Sequence, residues 1–296
     1  MKTMVKVLLA ASLLLVLIQG KAAERVDRTL DAPADAIVTI QNTAGSVVIR
    51  GWSRKAVEVK GDLGRDVEEL VFERDGKDIK IEVRSPRKSS RRLSSDLEIR
   101  LPEGSSVNVS GVSTDVDIFD VRGDIRMSVV SGDVSVQGFG SDIEISTVSG
   151  DVDAEGRGQK SDARFNTVSG DIDVENISGT ISMTSVSGDL AVLDGAFERA
   201  KFNTTSGDIV YHAGLEGNGR LDVDTVNGDL DIRFRGDISA RFDIETFNGD
   251  IRNCFGPESV RTSRYTPGRE LSFTEGGGAS RVTIKTLNGD VRLCRN

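Results

Sequence analysis

The stretch STVSGDVDA, residues 146–154, decides the fold of this chain because near-copies of it recur along the sequence. NTVSGDIDV follows at residues 166–174 and DTVNGDLDI at residues 224–232. The central Ser/Asn-Gly-Asp triplet occurs eight times, with glycines 18–21 residues apart except for one gap of 40. The pairs are Gly132-Asp133, Gly150-Asp151, Gly170-Asp171, Gly188-Asp189, Gly207-Asp208, Gly228-Asp229, Gly249-Asp250 and Gly289-Asp290. A repeat of about 20 residues predicts a solenoid, in which each repeat forms one turn of a coil.

The residues around each triplet alternate between apolar and polar, which is the pattern of a strand with one buried face. Ile143 and Ile145 carry this alternation into one triplet, and an apolar residue, Val148, then interrupts it. We interpret the interruption as a corner at which Val148 turns inward, Ser-Gly lets the chain bend and Asp151 faces solvent. The equivalent apolar residues are Val168, Val186, Val226, Phe247 and Leu287.

Parallel stacking of such units, about 4.8 Å apart, would bury their Val, Ile and Leu side chains in columns. Units of this length are too short for the paired helices of most α-repeats, and the asparagine ladder of leucine-rich repeats is absent. The sequence therefore predicts an all-β chain folded as a β-helix. A long antiparallel meander or a β-sandwich is the alternative, because periodicity alone does not fix strand direction.

Two weaker copies of the unit lie nearer the N-terminus. VNVSGVSTDVDI (residues 107–118) and VTIQNTAGSVVI (residues 38–49) both match the template. Between them, two apolar segments flank Asp75-Gly76, a sequence typical of a hairpin turn. We expect an N-terminal β capping region at residues 24–105 and solenoid repeats at residues 106–296, because the ends of a solenoid need covering.

The first 23 residues have the features of a secretory signal peptide. Lys2 and Lys6 precede an apolar stretch at residues 7–18, which is too short to span a membrane, and small residues follow. No later apolar run is long enough to cross a bilayer, so we expect an exported protein that is periplasmic or associated with the cell envelope, or secreted. Cleavage would remove three lysines and no acidic residue, which moves the formal net charge from −9 to −12. Such a chain lacks the clustered cations of general nucleic-acid binders.

The ordered series of motifs resembles the bacterial "putative adhesin" family of unknown function. The resemblance is carried by NTAGSVVIRGW (residues 42–52), by the SGDV and NGDI series, and by VTIKTLNGDVRL (residues 282–293). These motifs extend over nearly the whole chain after the signal peptide. The resemblance implies an envelope location and a right-handed parallel β-helix, and it supplies no catalytic residues.

The chain has two cysteines, Cys254 and Cys294, each five residues after a triplet glycine. An exported chain favours a disulfide between them. If the 40-residue gap is one rung with a long loop, the two cysteines lie side by side at a distance that suits the bond. If the gap holds two rungs, they are about 9.6 Å apart and too distant. The loop-like sequence at residues 256–271 favours the first arrangement and a stapled C-terminal end.

The repeated aspartates allow two interpretations. A column of carboxylates in register could recruit calcium, but the nine-residue calcium-binding β-roll repeat is absent. We favour a solvent-facing turn in which each aspartate bonds to local backbone, with no metal and no cofactor. The preceding column of Ser131, Ser149, Ser169, Ser187, Ser206, Asn227, Asn248 and Asn288 is expected to hydrogen-bond along the solenoid.

His212 is the single histidine, so any Ser-His-Asp triad would have to use it, and no diagnostic motif surrounds it. The basic run at residues 84–93 contains Arg84, Arg87, Lys88, Arg91 and Arg92. It is typical of an exposed loop and could also meet an anionic partner.

These features favour an exported, monomeric, non-catalytic β-solenoid that acts as an envelope scaffold or adhesin-like interaction module. Its partner would be an envelope protein or polymer. The alternative is a polysaccharide-active β-helix enzyme, a lyase or hydrolase, because paired carboxylates occur easily in so acidic a chain.

Overall fold

The computed structural model describes residues 24–86 and 93–295, and within them all regular structure is β-strand. The all-β prediction is therefore confirmed. The predicted signal peptide and four of the basic-run residues, Arg87, Lys88, Arg91 and Arg92, lie outside the described residues. Within the described ranges, no helix is long and apolar enough to cross a membrane.

The strands are numbered in chain order. They are β1 Glu24–Asp31, β2 Ile37–Trp52, β3 Ala56–Leu63, β4 Glu69–Asp75, β5 Asp78–Arg84, β6 Ser95–Pro102, β7 Ser106–Phe119, β8 Ile125–Ser131, β9 Val134–Gln137, β10 Ile143–Ser149, β11 Val152–Glu155, β12 Lys160–Asn166, β13 Ile172–Glu175, β14 Ser178–Thr184, β15 Leu190–Ser206, β16 Ile209–Asn227, β17 Leu230–Phe234, β18 Ala240–Asn248, β19 Ile251–Asn253, β20 Val260–Arg261, β21 Arg269–Glu275, β22 Ser280–Asn288 and β23 Val291–Arg295.

Each repeat forms a rung of two strands joined by a corner, and the rungs stack in parallel. β10, before a corner, pairs in parallel with β8 and β12, and β11, after the corner, pairs in parallel with β9 and β13. Equivalent residues face each other, as where Ile145 pairs with Met127 and with Phe165. Parallel pairing through the repeats excludes the antiparallel meander for this part of the chain.

The rung nearest the C-terminus does not lie at the end of the stack. β22 pairs in parallel with both β16 and β18, and β23 pairs with both β17 and β19. The last rung in sequence is therefore inserted between the two rungs that precede it in sequence. At the other end β2 has β5 and β6 on one side and β7 on the other. There Val38 pairs with Val107 and Ile49 with Ile118, the register that the two weaker repeat copies predicted.

Antiparallel strands cover both ends of the stack, so the sheet is mixed rather than purely parallel. β4 pairs antiparallel with β5, in the hairpin that Asp75-Gly76 predicted, and β1 and β3 pair antiparallel next to β6. At the opposite end β21 pairs antiparallel with β18 and with β20. These strands satisfy backbone groups that a bare terminal rung would expose.

The segment between Gly249 and Gly289 is neither a plain loop nor an extra rung. Residues 260–275 form the β20–β21 hairpin, which covers one side of β18, and the chain then returns to the other side of β18 as β22. A single hydrophobic core runs through the described residues from Val26 to Leu293, between the two stacks of strands.

The corner differs from the prediction in one respect. Ile143, Ile145 and Thr147 are all buried, whereas Val148 is 48% exposed, so the prediction that the corner valine turns inward is wrong. The same holds for Val168, Val186, Val226, Phe247 and Leu287. Strand alternation continues through the threonine, which places the next residue outside. The change of phase lies in the four-residue corner itself, since the next buried residue is Val152.

Glycine is required at the corner because adjacent corners touch. Gly170 has a φ of 144°, in the region that favours glycine. A Cβ atom added there would overlap the carbonyl oxygen of Gly150 in the neighbouring rung. The corner of Gly188 meets Gly170 in the same way. The close stacking of rungs therefore depends on a column of glycines, which have no Cβ atom.

We expect Gly170→Ala to lower the free energy of unfolding by about 2–4 kcal/mol, through both steric overlap and an unfavourable φ. Gly76→Asn is the control, because Gly76 has a φ of 61°, which asparagine tolerates, and an added Cβ there meets nothing within 4 Å. Urea unfolding of both variants measures the difference. If both variants lower the free energy of unfolding by the same small amount, the contact between Gly170 and Gly150 does not limit the stacking of rungs.

Candidate functional site

Each repeat aspartate except Asp250 accepts a backbone hydrogen bond from the neighbouring rung. The backbone N–H of Asp151 donates to Oδ1 of Asp133 at 3.0 Å, that of Asp171 to Asp151 at 2.9 Å, and that of Asp189 to Asp171 at 2.8 Å. The series continues through Asp115, Asp133, Asp151, Asp171, Asp189, Asp208, Asp229, Asp290 and Asp250, in spatial order. We call this column the aspartate ladder. The expected bond to local backbone is wrong, because every acceptor serves another rung.

The aspartate ladder is exposed and almost free of ion pairs. Among the described residues, only Asp250 of the ladder has a cation within 4.0 Å, Arg269 at 2.8 Å. Adjacent carboxylates one rung apart repel each other by somewhat less than about 1 kcal/mol per pair in water. The described residues contain no group of three or more His, Cys, Asp or Glu side chains arranged to hold a metal ion.

A line of exposed apolar side chains runs beside the aspartate ladder, three residues earlier in each corner. In spatial order it consists of Val112, Val130, Val148, Val168, Val186, Val226, Leu287 and Phe247, each 39–50% exposed. We call it the apolar ladder, and the two ladders together the corner edge. Exposed Thr205 occupies the equivalent position in the rung between Val186 and Val226. Counting alternation through the buried threonine would have revealed this ladder from the sequence.

The Ser/Asn column lies between the two ladders. Nδ2 of Asn248 donates to Oδ1 of Asn288, and Nδ2 of Asn288 donates to Oδ1 of Asn227, both at 2.8 Å. Asparagine bonding along the stack is thus confirmed. Ser149, Ser169, Ser187 and Ser206 pair through their backbones. All three columns of the corner therefore keep the register of the rungs.

Two carboxylates on the strands after the corner have opposite pKa shifts. Burial raises the pKa of Asp173, and the neighbouring carboxylates of Asp153 and Asp171 raise it further. For Asp231, burial alone would raise the pKa, but two hydrogen bonds from Arg233 and its charge lower it overall. This face of the stack is therefore acidic around Asp173 and neutralised by arginine around Asp231.

His212 is half-buried on the same outer face, and its Nε2 lies 3.6 Å from Oδ2 of Asp231. That carboxylate is already held by Arg233. The residues that pair with His212 in register are Leu193 and Arg233, so no serine lies beside His212 in the adjoining strands. The structure does not bring together a Ser-His-Asp arrangement at this residue.

Cys254 and Cys294 form a disulfide, with their Cα atoms 4.8 Å apart. The bond joins the end of β19 to β23, which are adjacent rungs. It therefore fixes the inserted last rung to its neighbour. Closing a loop of this length typically stabilises a fold by about 3–4 kcal/mol.

Arg84 is the one cation of the predicted anionic-partner patch that the structure describes. It pairs with Glu69, and its Nε lies 3.4 Å from Oε2 of Glu82. The hydrogen bond that Arg84 donates to Glu69 raises the pKa of Arg84. Its charge is thus already matched by two carboxylates of the N-terminal hairpin.

The Toastrack DUF4097 family model matches residues 36–294, almost the whole of the stacked core. No curated protein matches the chain. Several solved structures are similar over most of their length. A putative adhesin from Bacteroides fragilis NCTC 9343 has 11% sequence identity and a TM-score of 0.49, over 92% of this chain and 98% of that one.

Two proteins from Parabacteroides distasonis ATCC 8503 are also similar. A putative adhesin has 10% identity and a TM-score of 0.40, over 92% of this chain and 98% of that one. A putative lipid binding protein has 13% identity and a TM-score of 0.37, over 91% and 96%.

We expect Asp171→Ala to lower the free energy of unfolding by about 1–2 kcal/mol, because the N–H of Asp189 loses its acceptor. Asp171→Asn keeps an oxygen acceptor and removes a repelling charge, so we expect it to be neutral or slightly stabilising. Urea unfolding at low and high salt separates the two effects. If both variants lose the same stability, the charge rather than the acceptor matters.

The pKa shifts of Asp173 and Asp231 predict opposite pH dependences. The raised pKa of Asp173 means that its ionised form opposes folding, so Asp173→Asn should be more stable than the parent at pH 7. The lowered pKa of Asp231 means that its ionised form supports folding, so Asp231→Asn should be less stable at pH 7.

Both differences should be about 1 kcal/mol or less after solvent screening, and both should shrink below about pH 4, where the unfolded carboxyl groups are protonated. Unfolding curves from pH 3 to pH 7 measure them. Differences of the same sign for the two variants would contradict the assignment.

Proposed function

The chain belongs to the Toastrack DUF4097 family, and on that premise we propose that it is an exported, non-catalytic, right-handed β-solenoid. It acts at the cell envelope as a scaffold or adhesin-like interaction module. The mature protein begins after the signal peptide at residues 1–23 and works as a monomer. Its partner is an envelope protein or polymer.

The corner edge is the observation that carries this proposal. Eight of the ten large apolar side chains that are exposed among the described residues fall on this one line. Scattered exposed apolar residues are ordinary, but a contiguous set marks an interaction site. Nine rungs at about 4.8 Å give a straight edge of roughly 38 Å. Stacked parallel strands hold this edge rigid, so binding costs little ordering of the protein.

A photo-crosslinking amino acid placed at single positions in intact cells tests the proposal. At Val168, on the corner edge, we expect ultraviolet light to join the protein to a discrete envelope component. Lys201, an exposed residue on a strand face, is the control and should give little product. Cell fractionation of the same samples tests export.

Two results would overturn the proposed function. One is an uncleaved chain that stays in the cytoplasm. The other is the same crosslinking yield at Val168 and Lys201, since a surface without a dedicated edge would react equally everywhere.

A further inference from the structure

We infer that the corner edge docks a cationic, amphipathic helical segment of a partner polypeptide. Its apolar stripe would cover the apolar ladder, and its Lys and Arg side chains would meet the aspartate ladder. This inference rests on the proposed function and names the partner class of the same surface.

The fold leaves about half of each side chain of the apolar ladder exposed to water. Val112, Val130, Val148, Val168 and Val186 form an unbroken run, each about half exposed. Five rungs at about 4.8 Å make this run roughly 19 Å long. Burying the exposed halves of five valines provides a hydrophobic gain that a polar surface lacks.

The flank of this run of valines is uniformly negative. Asp115, Asp133, Asp151, Asp171 and Asp189 run beside the five valines, and none has a cation of the described residues within 4.0 Å. Oδ1 of each accepts the hydrogen bond between rungs, and each of these aspartates is exposed to solvent. A row of like charges attracts a polycation and releases counterions when it binds. The same row repels anionic lipid and nucleic acid.

The backbone of the corner determines the form of the partner. The N–H of Ser169 donates to the carbonyl of Val148 at 2.9 Å, and the N–H of Gly150 donates to the carbonyl of Ser169 at 3.2 Å. Because these groups are already bonded, a partner cannot add itself as a strand and must dock through side chains.

A helix fits this requirement. Its pitch of about 5.4 Å is close to the rung spacing of about 4.8 Å, so one turn advances by about one rung. A helical apolar stripe with a basic stripe beside it would therefore follow both ladders over the five-valine run, which corresponds to about 13 helical residues.

Two triple variants test the inference on the full mature chain. The first combines Val148→Thr, Val168→Thr and Val186→Thr. These changes keep the β-branched shape, and threonine already occupies the equivalent position of another rung as Thr205. Asp151→Asn, Asp171→Asn and Asp189→Asn together remove three charges but keep the oxygen that accepts each bond between rungs. Asp224→Asn, Glu245→Gln and Glu270→Gln together remove three exposed charges elsewhere and serve as the control.

The probe is a fluorescein-labelled 18-residue Leu/Lys peptide designed as an amphipathic helix, with its binding followed by fluorescence anisotropy. We expect the first two triple variants to weaken binding at least about tenfold, and the control to change it less than about twofold. The asparagine variant should also make the dependence of log Kd on log salt shallower. A peptide of the same composition with scattered leucines should bind more weakly, and a Leu/Glu peptide should not bind.

Several outcomes would overturn the inference. They are equal binding of the scattered peptide, binding of the Leu/Glu peptide, preferential binding of anionic phosphatidylglycerol vesicles, or no loss in either triple variant. If the Leu/Lys peptide does not bind while crosslinking at Val168 in cells persists, the partner class is wrong and the proposed function stands. If the peptide does not bind and Val168 also gives no crosslinked product in cells, both the partner class and the proposed function are wrong.

Discussion

The fold depends on the contact between successive corners. At each Ser/Asn-Gly-Asp corner, the glycine has no side chain and lets the carbonyl of the neighbouring rung approach, as at Gly170. An aspartate oxygen of that rung accepts the N–H that follows the glycine, as where Asp151 accepts from Asp171. Hydrogen bonds to a charged acceptor are stronger than neutral ones, and here they repeat from rung to rung. The constraint explains why Ser/Asn-Gly-Asp recurs with so little variation. Gly170 and Asp171 satisfy two different geometric requirements of the same stacked corner, at the spacing that the parallel backbone hydrogen bonds set.

Much of this architecture is readable from the sequence, because stacking in register copies local chemistry from rung to rung. The strand positions, the corner and the register of Val38 with Val107 follow from the repeat. The repeat favours parallel pairing but does not fix the strand direction, which the structure supplies. The outward orientation of Val148 does not follow from the repeat as interpreted above. That interpretation lets the alternation of buried and exposed residues change phase at Val148, whereas Thr147 is still buried and the change occurs after it. The partner of each aspartate was also missed, since a turn aspartate can bond locally or across rungs and the sequence pattern is the same.

The ends of the stack show what periodicity cannot determine. β22 and β23 match the repeat as well as any rung, yet they lie between rungs that precede them in sequence. Pairing in register is equally good at either side of a rung, so the order is set by the β20–β21 hairpin, which occupies the outer side of β18. The disulfide between Cys254 and Cys294 then joins two rungs adjacent in space. The cysteine spacing predicted this adjacency correctly although the path between the cysteines is not a simple loop.

Stacking uses the glycine, the backbone of the corner and one oxygen of each aspartate, and it makes no evident demand on the residue at the position of Val148. Thr205 shows this directly, because the adjacent Ser206 pairs in register with Ser187 on one side and Asn227 on the other although Thr205 is polar. Valine, leucine or phenylalanine at eight other corners is therefore not explained by stacking. About half of each of these side chains stays exposed to water, and we attribute the alignment of the exposed halves beside the aspartate ladder to the binding surface that we propose. The repeat thus encodes two things at once. Gly and Asp specify the coil, and the residue between the buried threonine and the serine specifies an exposed apolar edge, which is the surface that we propose binds a partner.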